Sequence, residues 1–249
     1  MVLIGRRELS EIPRADLEAI EQDGGQVLYL SADATNSSSM QAAIDQAKAR
    51  FGCINGVVHS AIALHDRTLD NMDEETFRAA LAPKVEGSLV LYQVLRHEPL
   101  DFMLFFSSSQ SYWCNAGQSN YAAACTFKDA FANALAQASP CPVAIVNWGY
   151  WGDVGIVAKD AYRKRLAAQG FRSISSEEGM DAVRRVLHHG VQQVMAIHAS
   201  DDILSDMGVQ LGDEIVVYPR MQPSCSITRC SINSCLGLIA RQFPANSCW

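Results

Sequence analysis

The sequence predicts an α/β protein built on a doubly wound parallel sheet. Short, β-branched apolar runs alternate with longer amphipathic stretches along its 249 residues, which is the pattern of strands joined by crossover helices. Hydrophobic residues make up 49% of the chain and charged residues only 19%, so it can bury a substantial core. Both observations indicate a globular α/β domain.

The strands are predicted from runs rich in valine, isoleucine, leucine and phenylalanine. Such runs suit a parallel sheet that is covered on both faces, and six of them suffice for a doubly wound sheet. They lie at residues 2–5, 26–32, 54–61, 101–108, 142–148 and 192–199.

The helices are predicted from apolar residues at helical spacing between these strands. In the last helix, Ser176 precedes two glutamates and is the predicted N-cap, while Gly190 is the predicted stop. Beyond Pro219 the periodicity is lost, so we expect a domain at 1–219 and a serine- and cysteine-rich tail with little order at 220–249. The helical stretches are 37–52, 73–97, 120–138 and 175–190.

Charge and hydropathy favour a cytoplasmic protein that binds neither nucleic acid nor membranes. The net charge is −7 and no long run of lysine and arginine occurs, so a basic surface for polyanions is not predicted. No run of eighteen apolar residues is present, and the N-terminus does not resemble a signal peptide.

The four cysteines scattered through the body are predicted to be free thiols, because they lack the paired spacing of a zinc site. The four in the tail are not predicted to bind a metal, because no histidine lies nearby. Four are scattered through the body and four crowd into the tail, at Cys53, Cys114, Cys125, Cys141, Cys225, Cys230, Cys235 and Cys248.

Three side chains suggest a site that delivers a proton to a carbonyl oxygen. Ser108 follows a predicted strand, Tyr121 begins the next helix, and Lys84 lies upstream. A phenol with a pKa of about 10 is a weak acid near neutrality, so a nearby ammonium would help it to react, and a serine hydroxyl could orient the carbonyl. Each residue alone is more often an ordinary surface group. However, ligands of open parallel sheets bind at the carboxyl ends of the strands, which is where these residues are predicted to lie.

Five segments resemble motifs of the ketoreductase domains of modular polyketide synthases, a branch of the short-chain dehydrogenase/reductase superfamily. The resemblance extends to about Pro219. An ordinary member has a lysine four residues after the tyrosine, where this chain has Cys125, whereas polyketide ketoreductases take the lysine from the preceding helix, 24 residues before the serine, as Lys84 is. In chain order the segments are GVVHSA, LAPKVEG, LFFSSSQS, NAGQSNYAAA and NWGYWGDVG.

The resemblance implies a reaction in which NADPH delivers a hydride to the β-keto carbon of an acyl chain tethered to an acyl carrier protein. Tyr121 would protonate the alkoxide, Ser108 would orient the carbonyl, and Lys84 would lower the tyrosine's pKa and contact the nicotinamide ribose. Cys125 stands where the family usually has asparagine. Other polyketide synthase domains are the further implied partners, and no metal is implied.

The resemblance also implies cofactor contacts. Arg6 corresponds to the arginine that meets the 2′-phosphate of NADPH, a role suited to a guanidinium group, although it could equally be a solvated loop residue. Asp33 and Ala34 correspond to positions near the adenine. The remaining implied contacts are the strand-end residues His59, Ser60, Ala61, Trp148 and Gly149.

Two markers of product stereochemistry disagree. Asp66 matches the last aspartate of a Leu-Asp-Asp motif that accompanies one alcohol configuration, whereas Trp113 matches a tryptophan that accompanies the other. Gln118 falls in the same substrate region. The configuration of the alcohol is therefore left open.

The N-terminus departs from the family pattern. No glycine-rich loop is found, and residues 1–7 resemble the family's second strand, so the resemblance implies that the first strand, the loop, the first helix and an upstream structural subdomain are missing. Two hypotheses follow. The chain is an NADPH-dependent β-ketoacyl reductase, or it is a truncated, non-catalytic remnant or docking segment that cannot bind NADPH.

Overall fold

The strands form a mainly parallel sheet with a separate two-stranded sheet beside it. The computed structural model describes residues 1–113, 115–152, 164 and 166–207, and the backbone of Gly237–Ala240. The strands are β1 (Val2–Gly5), β2 (Leu28–Ser31), β3 (Gly56–His59), β4 (Phe102–Ser108), β5 (Val143–Trp148), β6 (Phe171–Arg172), β7 (Gln193–Ala199) and β8 (Gly237–Ala240). The described α-helices are α1 (Arg14–Gln22), α2 (Ser37–Phe51), α3 (Glu74–Leu81), α4 (Glu86–Leu95), α5 (Ser119–Ala138), α6 (Ser176–His189) and α7 (Asp201–Asp206).

The larger sheet brings the ends of its central strands to one edge. Its order is β3-β4-β5-β7, with all of these pairs parallel, and β6 and β8 pair antiparallel with β7. His59 is in register with Phe105, and Ser108 with Trp148. The carboxyl ends of β3, β4 and β5 therefore open on the same side of the molecule.

Helices cover both faces of this sheet. Successive residues of β4 point to opposite faces: Leu104 packs in a cluster with Val186 of α6, whereas Phe105 packs in a cluster with Leu135 of α5. This two-sided packing confirms the predicted doubly wound α/β fold.

The smaller sheet consists of β1 and β2, parallel and with Val2 in register with Leu28. Within the described ranges, β1 pairs only with β2 and β3 pairs only with β4. Each therefore keeps one edge unpaired, and Val58 of β3 is 48% exposed.

The structure corrects the predicted helix at 73–97. It contains two helices, α3 and α4, joined by a turn at residues 82–85. Pro83 lacks the backbone N–H that would continue the helical hydrogen bonding, so it favours a break here. Lys84 consequently lies in the turn rather than on a helix.

The predicted N-cap was also one residue too late. Ser175 caps α6, because its hydroxyl accepts a hydrogen bond from the Glu178 amide at 3.3 Å while the Glu178 carboxylate accepts one from the Ser175 amide at 2.9 Å. The C-terminal end was predicted correctly, since Gly190 adopts a left-handed conformation with φ of 63°.

The tail contributes one described element. Residues 237–240, inside the stretch expected to have little order, form β8 against β7. The four tail cysteines and Cys114 lie outside the described residues, whereas Cys53, Cys125 and Cys141 are free thiols. No helix in the described part of the chain is both long enough and apolar enough to cross a membrane.

Candidate active site

A cleft of about 410 Å³ opens at the carboxyl ends of β4 and β5. It gathers residues from strand ends, from the α3–α4 turn and from the start of α5, as expected for the ligand site of an open parallel sheet. The predicted site residues that line it are Ser60, Lys84, Ser108, Trp113, Gln118, Tyr121, Trp148 and Gly149.

Ser108 is the last residue of β4 and caps the short helix at Ser109–Ser111. Its hydroxyl oxygen accepts a hydrogen bond from the Gln110 amide at 3.2 Å. Because this bond uses a lone pair, the Ser108 proton stays available for a second acceptor. The same hydroxyl is in hydrogen-bonding range of the phenol of Tyr121.

Tyr121 lies in the first turn of α5, and its hydroxyl is also in hydrogen-bonding range of the Cys125 thiol. Burial raises the pKa of Tyr121 far above its ordinary value, the charge that Cys125 would carry adds to the rise, and the hydrogen bond from Ser108 opposes it. The phenol is therefore held in its protonated form, ready to donate.

Lys84 is almost fully buried, with 2% exposure. Its Nζ lies over the face of the Tyr121 ring, 5.2 Å from the ring centroid, where an ammonium is attracted to the π electrons. The sequence predicted that this lysine lowers the pKa of Tyr121. In the structure that pKa is raised, first by burial and then by Cys125.

Cys125 follows Tyr121 by one helical turn and is completely buried. Burial raises the pKa of its thiol, while the charge of Lys84 and the hydrogen bond with Tyr121 oppose the rise. A thiol of raised pKa is uncharged near neutrality, so Cys125 can hydrogen-bond to the phenol without adding a negative charge.

A second polar layer, which was not predicted from the sequence, lies behind Ser108. The buried Asn147 amide donates to Asp129 Oδ2 at 2.7 Å and to the Ser108 carbonyl at 3.1 Å, and it accepts from Gln193 Nε2 at 2.9 Å. Burial raises the pKa of Asp129. This layer could have been suspected from the sequence, because an asparagine interrupts the otherwise apolar strand PVAIVNW.

Of the two stereochemical markers, only Trp113 lines the cleft. Asp66 does not line it, but it accepts a hydrogen bond at 2.7 Å from the side-chain amide of Gln118, which does. The configuration of the alcohol is not decided by these contacts.

The other predicted cofactor residues lie around the ends of β1, β2 and β3. Asp33 accepts hydrogen bonds from the amide and hydroxyl of Thr35 at 2.9 and 2.8 Å, which lower its pKa, and the nearby charge of the exposed Arg6 lowers it further. Ala34 packs in the cluster of β2 and α2. Arg6, Asp33, Ala34 and Ala61 are not among the residues that line the cleft.

His59 is buried at the end of β3, and its Nε2 atom has no hydrogen-bond partner among the described residues. Burial, followed by the positive charge of the neighbouring pair Lys128 and Lys84, holds its pKa well below the ordinary value of 6.5. The imidazole is therefore neutral in the folded protein. The described residues include no group of three histidine, cysteine, aspartate or glutamate side chains placed to hold a metal ion.

The His59 environment predicts a stability that falls with acidification. Below a pH of about 6.5 the unfolded chain binds a proton at this residue and the folded chain does not, so unfolding takes up a proton and the free energy of unfolding drops as pH falls, by up to about 1.4 kcal/mol per pH unit. Urea unfolding at several pH values between 7.5 and 5 should show this slope. His59→Leu should reduce it, whereas the exposed His97→Gln should not. An unchanged slope in His59→Leu would contradict the assignment.

Comparison with known proteins agrees with this geometry. The family model of the KR domain matches residues 1–153. Polyketide synthase PksN of Bacillus subtilis is 44% identical over 224 residues, or 90% of this chain, and polyketide synthase ThaG of Burkholderia thailandensis is 45% identical over 81% of it. The chain spans about 4% of the length of each relative.

Solved structures give the same result. A ketoreductase domain from the bacillaene assembly line superposes with a TM-score of 0.75 at 31% identity, covering 82% of this chain and 51% of that one. An N-terminal ketoreductase from the macrolactin assembly line gives a TM-score of 0.74 at 30% identity, covering 83% and 41%. The chain therefore belongs to the ketoreductase domains of modular polyketide synthases, within the short-chain dehydrogenase/reductase fold.

Proposed function

We propose that this chain carries the proton-delivery site for NADPH-dependent reduction of a β-ketoacyl thioester, held on an acyl carrier protein, to the β-hydroxyacyl thioester. The observation that carries the proposal is the cluster at the strand ends. Ser108 and Cys125 both reach the Tyr121 hydroxyl, and Lys84 lies over the same ring.

The chain's own residues account for the handling of the carbonyl oxygen. Ser108 donates its proton to the ketone oxygen and orients it. As negative charge develops on that oxygen, the protonated Tyr121 transfers its proton to the forming alkoxide. The Lys84 ammonium then stabilises the phenolate that is left, because an opposite charge at short range favours the ionised form.

NADPH would supply the hydride. The residues present fit two parts of this cofactor: Lys84 and Ser60 line the cleft where the nicotinamide ribose would lie, and the exposed guanidinium of Arg6, next to Asp33, suits a phosphate on the adenine ribose. The pyrophosphate is not matched. In the described ranges, β1 leads through Arg6 and Arg7 into the short helix at Leu9–Glu11 rather than into a glycine-rich loop, so no amide cradle for phosphate is provided there.

The alternative is a non-catalytic segment that serves as a scaffold or docking surface. It is favoured by the unpaired edges of β1 and β3, because exposed strand edges and a half-exposed Val58 weaken a fold whose net stability is normally only about 5–15 kcal/mol. Under this alternative the acid-delivery residues are retained while the cofactor is not bound.

Calorimetric titration with NADPH, followed by reduction of a β-ketoacyl thioester surrogate, distinguishes the two functions. If the chain is a reductase, we expect it to bind NADPH and to reduce the surrogate. We also expect Arg6→Gln to weaken NADPH binding at least about tenfold and to leave NADH binding nearly unchanged. A folded sample that binds neither nucleotide would support the alternative. In that case, a form extended upstream by a strand, a glycine-rich loop and a helix should regain binding, and continued failure would reject the reductase function.

A further inference from the structure

A second lysine lies beneath the proposed catalytic residues. Lys128 follows Tyr121 by two turns of α5, so the two side chains share a helix face, and it is fully buried, with 0% exposure. Its Nζ donates to the carbonyl of Phe106 at 3.1 Å and to that of His59 at 3.3 Å. These bonds tie α5 to the ends of β3 and β4.

The Lys128 amine is also in hydrogen-bonding range of the Lys84 amine. The titratable groups around it are the neutral His59 from β3, Lys84 from the α3–α4 turn, and Cys125 and Asp129 from α5 itself. The described residues form no ion pair with either lysine, and the Asp129 carboxylate is bonded to Asn147 instead. Asp129 therefore offsets a second ammonium at this position only in part.

Two adjacent buried ammonium groups would repel each other strongly, so the pair is expected to hold a single positive charge. Lys128 is the member that gives up its proton. Burial lowers its pKa well below the ordinary value, the charge of Lys84 lowers it further, and Cys125 and Asp129 oppose the shift only in part. A neutral amine differs from an ammonium in having a lone pair that can accept a hydrogen bond.

We propose that Lys128 is a positioning residue whose uncharged amine accepts a hydrogen bond from the Lys84 ammonium and holds that ammonium over the ring of Tyr121. The carbonyls of Phe106 and His59 hold the Lys128 amine in place. That amine in turn holds the Lys84 ammonium in place. This inference rests on the proposed roles of Lys84 and Tyr121 and adds a third residue that acts only through them.

Direct titration of the lysines tests the shared charge without requiring turnover. The chain has only five lysines, at positions 48, 84, 128, 159 and 164, so ¹³C-labelled lysine gives few NMR signals, which single Lys→Met substitutions assign. We expect one signal to titrate well below the others and to vanish in Lys128→Met. In Lys84→Met the titration midpoint of the Lys128 signal should move to higher pH, because the neighbouring positive charge is gone. A Lys128 signal that titrates with the exposed lysines, or that does not move in Lys84→Met, would overturn the inference.

Kinetics test the consequence for catalysis. They are measured on whichever form of the protein, the chain itself or the form extended upstream, reduces the surrogate. Losing one hydrogen bond to a charged group should make Lys128→Met lower kcat at least about tenfold with little change in KM. The partly exposed Lys48, which pairs with Glu98 at 2.6 Å, provides the control, and Lys48→Met should keep the wild-type kcat. A normal kcat in Lys128→Met, while Tyr121→Phe is inactive, rejects the positioning role alone. A normal kcat in Tyr121→Phe rejects the proposed function. If Lys128→Met fails to fold, the wild-type and Lys84→Met titrations still decide.

Discussion

Replacing Tyr121 by phenylalanine is expected to lower kcat for reduction of a β-ketoacyl thioester surrogate at least about 100-fold, the lower end for loss of a general acid. The substitution removes one oxygen atom and keeps the ring under Lys84. Ser108 remains at the end of β4 to bind the ketone, so KM should change little. Steady-state kinetics with NADPH in excess, measured with enough protein to detect the residual rate, give both constants.

The matched control is Tyr92→Phe, which removes a phenolic oxygen from the partly exposed face of α4, where Tyr92 makes an edge contact with Phe131. That variant should retain the wild-type kcat. If Tyr121→Phe also retains it, another group must protonate the alkoxide, and the hydrogen bonds of Tyr121 with Ser108 and Cys125 would have only a structural purpose.

Replacing Asn147 by alanine should lower the free energy of unfolding by about 2–4 kcal/mol, because it removes three buried hydrogen bonds at once. The Asn147 amide donates to Asp129 and to the carbonyl of Ser108, and it accepts from Gln193. Water cannot readily compensate, since Asn147 has no exposed surface. Urea unfolding followed by circular dichroism measures the loss.

The comparison for this variant is Asn71→Ala. Asn71 lies in the exposed short helix at Leu69–Asn71 and donates to the Thr68 hydroxyl at 2.8 Å, so its removal should cost no more than about 0.5 kcal/mol. A loss of less than about 1 kcal/mol for Asn147→Ala would mean that the polar layer behind Ser108 is not needed for stability.

The sequence predicted the strands well, and it predicted that Ser108 and Tyr121 lie near one edge of the sheet, where both line the cleft. All six predicted strands are present, because buried parallel strands carry continuous apolar runs that stand out from their surroundings. The meeting of Ser108 and Tyr121 followed from the rule that strand ends share one edge of the sheet. It required no knowledge of individual contacts.

The features that the sequence did not reveal depend on tertiary packing. Helix α1 was not predicted from the sequence, and it buries no residue. Lys128 reads as a surface residue because lysine is rarely buried, and only the carbonyls of His59 and Phe106 explain its place in the interior. The direction of the Tyr121 pKa shift was missed for a similar reason, since the depth of burial cannot be read from the spacing of Ser108, Tyr121 and Lys84.

The placement of Tyr121, Cys125 and Lys128 on one face of α5 has a mechanical consequence. The hydroxyl, thiol and amine all belong to one rigid helix, whereas Ser108 belongs to β4 and Lys84 to the turn between α3 and α4. Each residue of an α-helix adds a rotation of about 100° and a rise of about 1.5 Å, so one residue inserted between Tyr121 and Cys125 would turn the phenol away from the cleft even if the rest of α5 packed as before. The spacing of these three residues along α5 therefore matters as much as their identity.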